Sequence, residues 1–108
     1  MNEKKLQKEI KKLYKDYIGS DEELKKKMLE VYQKYATLNN LKLNPNQKIL
    51  LTILEGLLRN LRVYDECYCP CRIILGNPGK DKGKICPCQD YEEEVERDGY
   101  CHCRLFVK

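Results

Sequence analysis

Apolar side chains recur every three or four positions through the first third of the chain, which is the spacing of amphipathic helices. Residues 3–18 place one apolar face opposite a row of lysines. A second stripe follows Ser20, which forms a capping-box pattern with Glu23 three residues later. The pattern therefore predicts two N-terminal helices. Their apolar positions are Leu6, Ile10, Leu13, Tyr14, Tyr17 and Ile18 in the first, and Leu24, Met28, Val31, Tyr32 and Tyr35 in the second.

A third helix is predicted to begin in the segment LNPNQ, residues 43–47, where Asn44 can cap it and Pro45 suits its first position. From Ile49 to Leu61 the helix is apolar on most of its circumference, which is typical of a buried helix. Gly56 costs about 1 kcal/mol relative to Ala inside a helix. Its presence predicts close packing by another backbone.

The helical periodicity ends after Arg62, where the cysteine-containing part of the chain begins. Residues 76–84, GNPGKDKGK, have the composition of an exposed, turn-rich loop. A short helix is predicted from Asp90 to Arg97, ending near Gly99. The second half is therefore expected to be richer in loops than the first.

Length and composition fit one domain, since the chain has 108 residues, 42% of them hydrophobic and 35% charged. We expect a mainly α fold, a compact helical domain in which residues 1–44 cap a loop-rich cysteine region at 45–108. The longest apolar run, Ile49 to Leu54, is too short to span a bilayer. The first 15 residues lack the apolar stretch of a signal peptide. A cytoplasmic protein with no membrane partner is expected.

The distribution of charged and aromatic residues indicates which classes of partner the protein could bind. The net charge of +4 arises from 21 basic and 17 acidic side chains. This weak excess fits solvated helix faces, and it could also steer an acidic protein partner. The only Phe is Phe106, there is no Trp, and no dense basic stripe is present, so nucleic-acid binding is not expected.

All seven cysteines lie between Cys67 and Cys103. Six of them form pairs with one intervening residue, CPC at 69–71, CPC at 86–88 and CHC at 101–103. In an extended segment such a pair has its Cα atoms about 6.5–7 Å apart, at the edge of what a disulfide allows. Disulfides between pairs or shared metal ligation are therefore the alternatives.

Several chemistries remain open for these thiols. The odd number and the clustering argue against a disulfide scaffold. Structural zinc sites usually use cysteines two to four residues apart, yet four of these could still bind zinc in a non-catalytic interaction module. A [4Fe–4S] cluster takes four thiolates, which leaves two for a redox-active disulfide; a simple iron–sulfur electron carrier would need the cluster alone. His102, the only histidine, lies between two cysteines, where it could transfer protons or stabilise a thiolate.

The three motifs, in this order, resemble the catalytic chain of ferredoxin:thioredoxin reductase. The likeness extends to LEGLLRN at 54–60, YCPCR at 68–72, ICPC at 85–88 and CHCRLFV at 101–107, so it covers roughly residues 45–108. Residues 1–44 are expected to lie largely outside it. The resemblance implies a [4Fe–4S] cluster beside a redox-active disulfide. It also implies ferredoxin as the electron donor and a thioredoxin-like protein as the substrate.

Carried over residue by residue, the resemblance implies a role for each paired cysteine. The disulfide would join Cys71, the exposed attacking thiol, to Cys103, which would lie nearer the cluster. His102 would be the active-site histidine. The cluster ligands would be Cys69, Cys86, Cys88 and Cys101.

Two features depart from the family pattern. Cys67 has no counterpart in it and is expected to be an inert thiol, an alternative ligand and a regulatory partner being the other interpretations. The segments 72–85 and 89–100 differ in length from the plant-type chain, which could alter the thioredoxin-like partner. Plant-type enzymes also contain a small β-barrel subunit, and the sequence leaves its presence open.

Overall fold

The structure is a computed structural model that describes residues 2–70 and 72–108. Helix accounts for 61% of it, and the predicted mainly α fold is confirmed. The two strands pair antiparallel, with Lys42 opposite Val107 and Leu43 opposite Phe106. In these ranges the elements are α1 (Glu3–Asp16), α2 (Asp21–Leu38), β1 (Lys42–Leu43), α3 (Gln47–Tyr64), α4 (Pro78–Asp81), a 3-10 turn (Lys82–Lys84), α5 (Tyr91–Asp98) and β2 (Phe106–Val107).

The start of α2 follows the predicted capping pattern, since the Ser20 hydroxyl accepts a hydrogen bond from the Glu23 N–H at 3.3 Å. The end of α1 does not follow its prediction. The backbone is already extended at Tyr17, and Ile18 is 96% exposed rather than part of the apolar face. The extended conformation of Tyr17 ends the helix, and the next helix begins only after Ser20, which is also extended.

The start of α3 lies two residues later than predicted. Asn46, not Asn44, caps the helix, its side-chain oxygen accepting hydrogen bonds from the N–H groups of Lys48 at 3.0 Å and Ile49 at 3.2 Å. Asn44 accepts the N–H of Asn46 at 2.9 Å and donates to the carbonyl of Arg104 at 3.1 Å. Its side chain therefore ties the entry of α3 to the chain that follows the third cysteine motif.

The segment predicted as an exposed loop, residues 76–84, contains α4 and the 3-10 turn. Asp81 within it is only 1% exposed, so the prediction of general exposure is wrong there. The short helix before the third motif is confirmed as α5, which ends at Gly99 in the left-handed conformation.

The core lies between α2, α3 and the C-terminal strand. Tyr35 and Tyr91 each pack on the Phe106 ring, at centroid distances of 5.6 and 5.7 Å. α1 adds Leu6 and Ile10 to the same core, so the N-terminal helices cover the cysteine region as expected. Within the described ranges, no helix combines the length and apolarity of a membrane span.

Candidate redox centre

Backbone pairing brings the first two cysteine motifs side by side. Tyr68 and Ile85 form an isolated antiparallel bridge. On either side of it, the Cys69 N–H donates to the Lys84 carbonyl at 2.7 Å and the Cys86 N–H donates to the Cys67 carbonyl at 2.9 Å. This pairing fixes the relative register of the two segments.

Helix α3 packs against the first cysteine motif. Asn60 donates from its side-chain amide to the Tyr68 carbonyl at 2.8 Å. A Cβ atom at Gly56 would lie only 2.5 Å from Cβ of Pro70. The predicted close packing at Gly56 is therefore present, although its partner is the Pro70 ring rather than another backbone.

The third motif occupies a turn just before β2. The Cys101 N–H donates to the Phe106 carbonyl at 3.0 Å, and the Arg104 N–H donates to the Cys101 carbonyl at 2.8 Å. Arg104 adopts a left-handed conformation with φ of 67°. Tyr100 and Val107 form an isolated antiparallel bridge, and the turn between them presents Cys101, His102 and Cys103 together.

Burial separates the described cysteines into two groups. Cys103 is partly exposed and His102 is exposed. The predicted attacking residue, Cys71, lies outside the described residues, and its role stays a prediction. The four residues predicted as cluster ligands are no more than 3% exposed: Cys69, Cys86, Cys88 and Cys101.

The Cys101 sulfur has the surroundings of a thiolate. It lies 3.7 Å from Sγ of Cys103 and accepts the Phe106 N–H at 3.4 Å. The hydrogen bond with Cys103 and those from the backbone of residues 104–106 lower the pKa of Cys101 to about 7, against the opposing effect of burial. Backbone N–H groups directed at sulfur stabilise the anionic form that metals bind.

The pKa of Cys86 indicates why a metal cation fits among the buried cysteine sulfurs. Burial raises its pKa, and negative charge on Cys67, Cys88 and Cys101 raises it further. The thiols are therefore close enough to oppose one another's ionisation, and a metal removes that opposition because it binds the deprotonated form. The donor set fits an iron–sulfur group.

The described side chains do not converge on a single point. Across residues 2–70 and 72–108, no three His, Cys, Asp or Glu side chains group closely enough to bind one ion. A [4Fe–4S] cluster takes each of its four thiolates on a different iron, so its ligands need not converge on one point.

Cys67 is buried in the core and contacts a side chain of α2. It is 2% exposed, and its sulfur lies 3.1 Å from the Tyr32 hydroxyl. Burial raises the pKa of Cys67 to about 12. These surroundings suit a protonated thiol, and inertness remains the prediction for it.

Glu94 of α5 is a residue of this region that the sequence did not single out. Its two carboxylate oxygens accept hydrogen bonds from Arg72 Nη2 and from the His102 N–H, each at 3.3 Å. Three other glutamates lie within two positions of it in the sequence, so the pattern offered no signal that this one differed.

These features define a compact helical protein in which a buried thiol, Cys101, contacts a partly exposed one, Cys103. A family model for the ferredoxin thioredoxin reductase catalytic beta chain matches residues 19–108. The chain belongs to that family. The match begins well before residue 45, so the expectation that residues 1–44 lie largely outside the family region is wrong for α2 and β1. A search of curated proteins finds none that matches the chain.

Proposed function

We propose that this protein reduces the disulfide of a thioredoxin-like protein with single electrons from ferredoxin. The redox-active pair is Cys71 and Cys103, beside a [4Fe–4S] cluster. The ligands of that cluster are Cys69, Cys86, Cys88 and Cys101. The observation that carries the proposal is the 3.7 Å contact between the sulfurs of Cys101 and Cys103. It brings the partly exposed thiol of Cys103 next to the buried sulfur of Cys101, whose surroundings suit a metal ligand.

The two thiols are proposed to act in succession. Cys71 attacks one sulfur of the substrate disulfide, forming a mixed disulfide and releasing one substrate thiol. Cys103 then attacks the sulfur of Cys71, which forms the internal disulfide and releases the second substrate thiol. Two electrons from ferredoxin and two protons restore both thiols. When bound, the cluster supplies those electrons one at a time beside Cys103.

The overall electron flow is downhill. Thioredoxin has a potential of about −270 mV, and a plant-type ferredoxin lies near about −400 mV. The exposed imidazole of His102 is adjacent to Cys103 in the chain and can deliver protons to departing thiolates. His102 is therefore assigned proton transfer.

The surface after Cys71 suits a protein substrate. Ile73 is 79% exposed and Leu75 is 61% exposed. Exposed large apolar side chains are typical of a contact with another protein, and these two follow Cys71 closely in the sequence. Ferredoxin and the thioredoxin-like protein are accordingly the proposed partners, in the cytoplasm, with a small β-barrel subunit as a further proposed partner.

Single-cysteine variants test the proposal. Cys71→Ser should abolish ferredoxin-dependent reduction of thioredoxin while iron and sulfide content stays near that of the parent protein. Cys103→Ser should accumulate a mixed disulfide between Cys71 and thioredoxin, visible by non-reducing electrophoresis. Cys67→Ser is the matched control and should keep the parent rate. An unchanged rate in Cys71→Ser would refute the assignment of the attacking thiol.

A further inference from the structure

We infer that Glu94 is a positioning residue that ties the first cysteine motif to the third and so holds Cys71 and Cys103 ready to form their disulfide. The inference rests on the proposed function, since it assumes that these two cysteines are the redox pair. It concerns α5, an element to which that function assigns no task.

One oxygen of the Glu94 carboxylate binds the first motif. It accepts a hydrogen bond from Arg72 Nη2 at 3.3 Å, and the pair is an ion pair. The Arg72 N–H in turn donates to the Cys69 carbonyl at 3.1 Å. Arg72 directly follows Cys71 in the chain, so both contacts fix the residue that is next in sequence to the proposed attacking thiol.

The other oxygen binds the third motif. It accepts the backbone N–H of His102 at 3.3 Å, and His102 directly precedes Cys103. One carboxylate thus holds the immediate neighbours of both proposed redox cysteines. A charged acceptor strengthens each of these hydrogen bonds relative to a neutral one.

Glu94 is also less exposed to solvent than the glutamates beside it. α5 is anchored in the core through Tyr91 and Val95, each 3% exposed. The Glu94 side chain is 13% exposed, whereas Glu93 and Glu96 are exposed. The reduced exposure limits screening by solvent, so this ion pair restrains its partners better than a surface pair does.

Replacing Glu94 by Gln isolates this role. A Gln side chain has an acceptor oxygen at one terminal position and an NH₂ donor at the other, so it cannot accept from Arg72 at one atom and from His102 at the other, as the carboxylate does. With one connection lost, the two thiols should meet less often and their disulfide should form less readily. In the equilibrium with glutathione, two glutathione molecules reduce the protein disulfide to the dithiol and become glutathione disulfide. We expect the Glu94→Gln equilibrium constant to shift about tenfold toward the protein dithiol. For this two-electron couple the shift is about 30 mV to a less negative potential.

A second variant separates positioning from simple electrostatics. Removing the negative charge of Glu94 favours thiolates, while removing the positive charge of Arg72 disfavours them. A purely electrostatic effect therefore predicts opposite shifts for Glu94→Gln and Arg72→Gln. The positioning role predicts shifts in the same direction, and a double variant that shifts little further than either single one.

The experiment is an anaerobic glutathione redox titration of the intact holoprotein. Differential alkylation and peptide mass spectrometry measure the fraction of the Cys71–Cys103 disulfide. Glu93→Gln, an equal loss of charge at an exposed position of α5, is the matched control and should titrate like the parent. Same-direction shifts of about tenfold in Glu94→Gln and Arg72→Gln support the inference. Opposite shifts, or shifts below twofold, overturn it.

The titration also distinguishes failure of this inference from failure of the proposed function. If the oxidised parent protein contains no Cys71–Cys103 disulfide, the proposed function itself fails and the positioning role fails with it. If the parent forms that disulfide and the Glu94 variant titrates like the parent, only the role of Glu94 is overturned.

Discussion

The Pro70 ring lies directly against the backbone of Gly56, so closely that a Cβ atom added to Gly56 would come within 2.5 Å of Cβ of Pro70 and 3.0 Å of its Cγ. Pro70 is the central residue of the first cysteine motif, and Gly56 is in the middle of α3. The most apolar helix of the chain thus forms the support on which that motif rests. Both ring carbons would have to move if any side chain were present at Gly56.

We therefore expect Gly56→Ala to destabilise the protein, although Ala favours a helix by about 1 kcal/mol over Gly. Overpacking of this kind costs about 1–3 kcal/mol, and the displaced motif should also bind its metal less well. Urea unfolding followed by circular dichroism, with iron analysis of the same samples, measures both effects. Thr52→Ala, at an exposed position of the same helix, is the control. If the Gly56→Ala protein were more stable than the parent, Pro70 would not pack against α3 closely enough to exclude a side chain at Gly56.

The sequence predicted most of the helical framework because caps and apolar periodicity are local signals. Ser20 and Gly99 act where they are predicted, whereas α3 is capped by Asn46 and not by the predicted Asn44, because the sequence has an asparagine at both positions. Asp81 is buried because its carboxylate binds backbone N–H groups of its own loop, and the spacing of apolar residues in the sequence does not predict such contacts. The bonds of Glu94 depend on residues eight and 22 positions away. Such contacts arise only after the chain has folded.

Asp81 is expected to organise the loop between the first two motifs. Its carboxylate accepts the N–H groups of Leu75, Gly76 and Asn77 at 3.0–3.1 Å and the Lys84 ammonium at 2.8 Å. Asp81→Asn removes the charge and one acceptor, so amide exchange at Gly76 and Asn77 should accelerate on the order of tenfold. Hydrogen exchange at neutral pH measures this, with Asp90→Asn as the control. Unchanged exchange at both amides would refute the organising role.

The same carboxylate gives a pH dependence of defined sign. The Lys84 hydrogen bond, aided by the loop N–H groups and opposed by burial, holds the pKa of Asp81 below its usual value. A group with a lowered folded-state pKa stabilises the fold above its unfolded pKa of about 3.9 and loses that contribution as pH falls through the folded value. The difference in loop protection between parent and Asp81→Asn should therefore be full at neutral pH and shrink below about pH 4. A difference that grows on acidification would contradict this sign.

The proposed ligand set predicts a sharp division among the buried cysteines. Serine at a ligand position should reduce iron and sulfide to less than about half of the parent content, because four thiolates complete a [4Fe–4S] site. Serine at Cys67 should leave both near the parent values, since that thiol faces the Tyr32 hydroxyl. Iron and sulfide assays on anaerobically purified variants check this. The ligand variants are Cys69→Ser, Cys86→Ser, Cys88→Ser and Cys101→Ser.

Loss of iron in Cys67→Ser to the same extent as in the ligand variants would contradict the division. It would place Cys67, whose carbonyl accepts the Cys86 N–H, among the ligands. Unfolding midpoints of all five variants serve as the control, because they separate loss of the cluster from loss of the fold.

The exposed apolar surface after Cys71 should contribute to substrate binding rather than to electron transfer. Ile73→Asp places a charge where a protein contact is proposed, so KM for the thioredoxin-like substrate should rise about tenfold while kcat stays near the parent value. Steady-state kinetics with ferredoxin as the donor measure the two constants. Ile18→Asp changes an isoleucine that is even more exposed and should alter neither constant. A fall in kcat with KM unchanged would refute a docking role for Ile73.

The measurement that tests the central claim most directly is the content of iron, zinc and acid-labile sulfide in protein purified anaerobically. We predict about four irons and about four sulfides per chain, with zinc near zero, as a [4Fe–4S] cluster requires. Zinc in place of iron, with no sulfide, in protein kept from air and from metal exchange would contradict the account and leave a zinc-binding interaction module in its place.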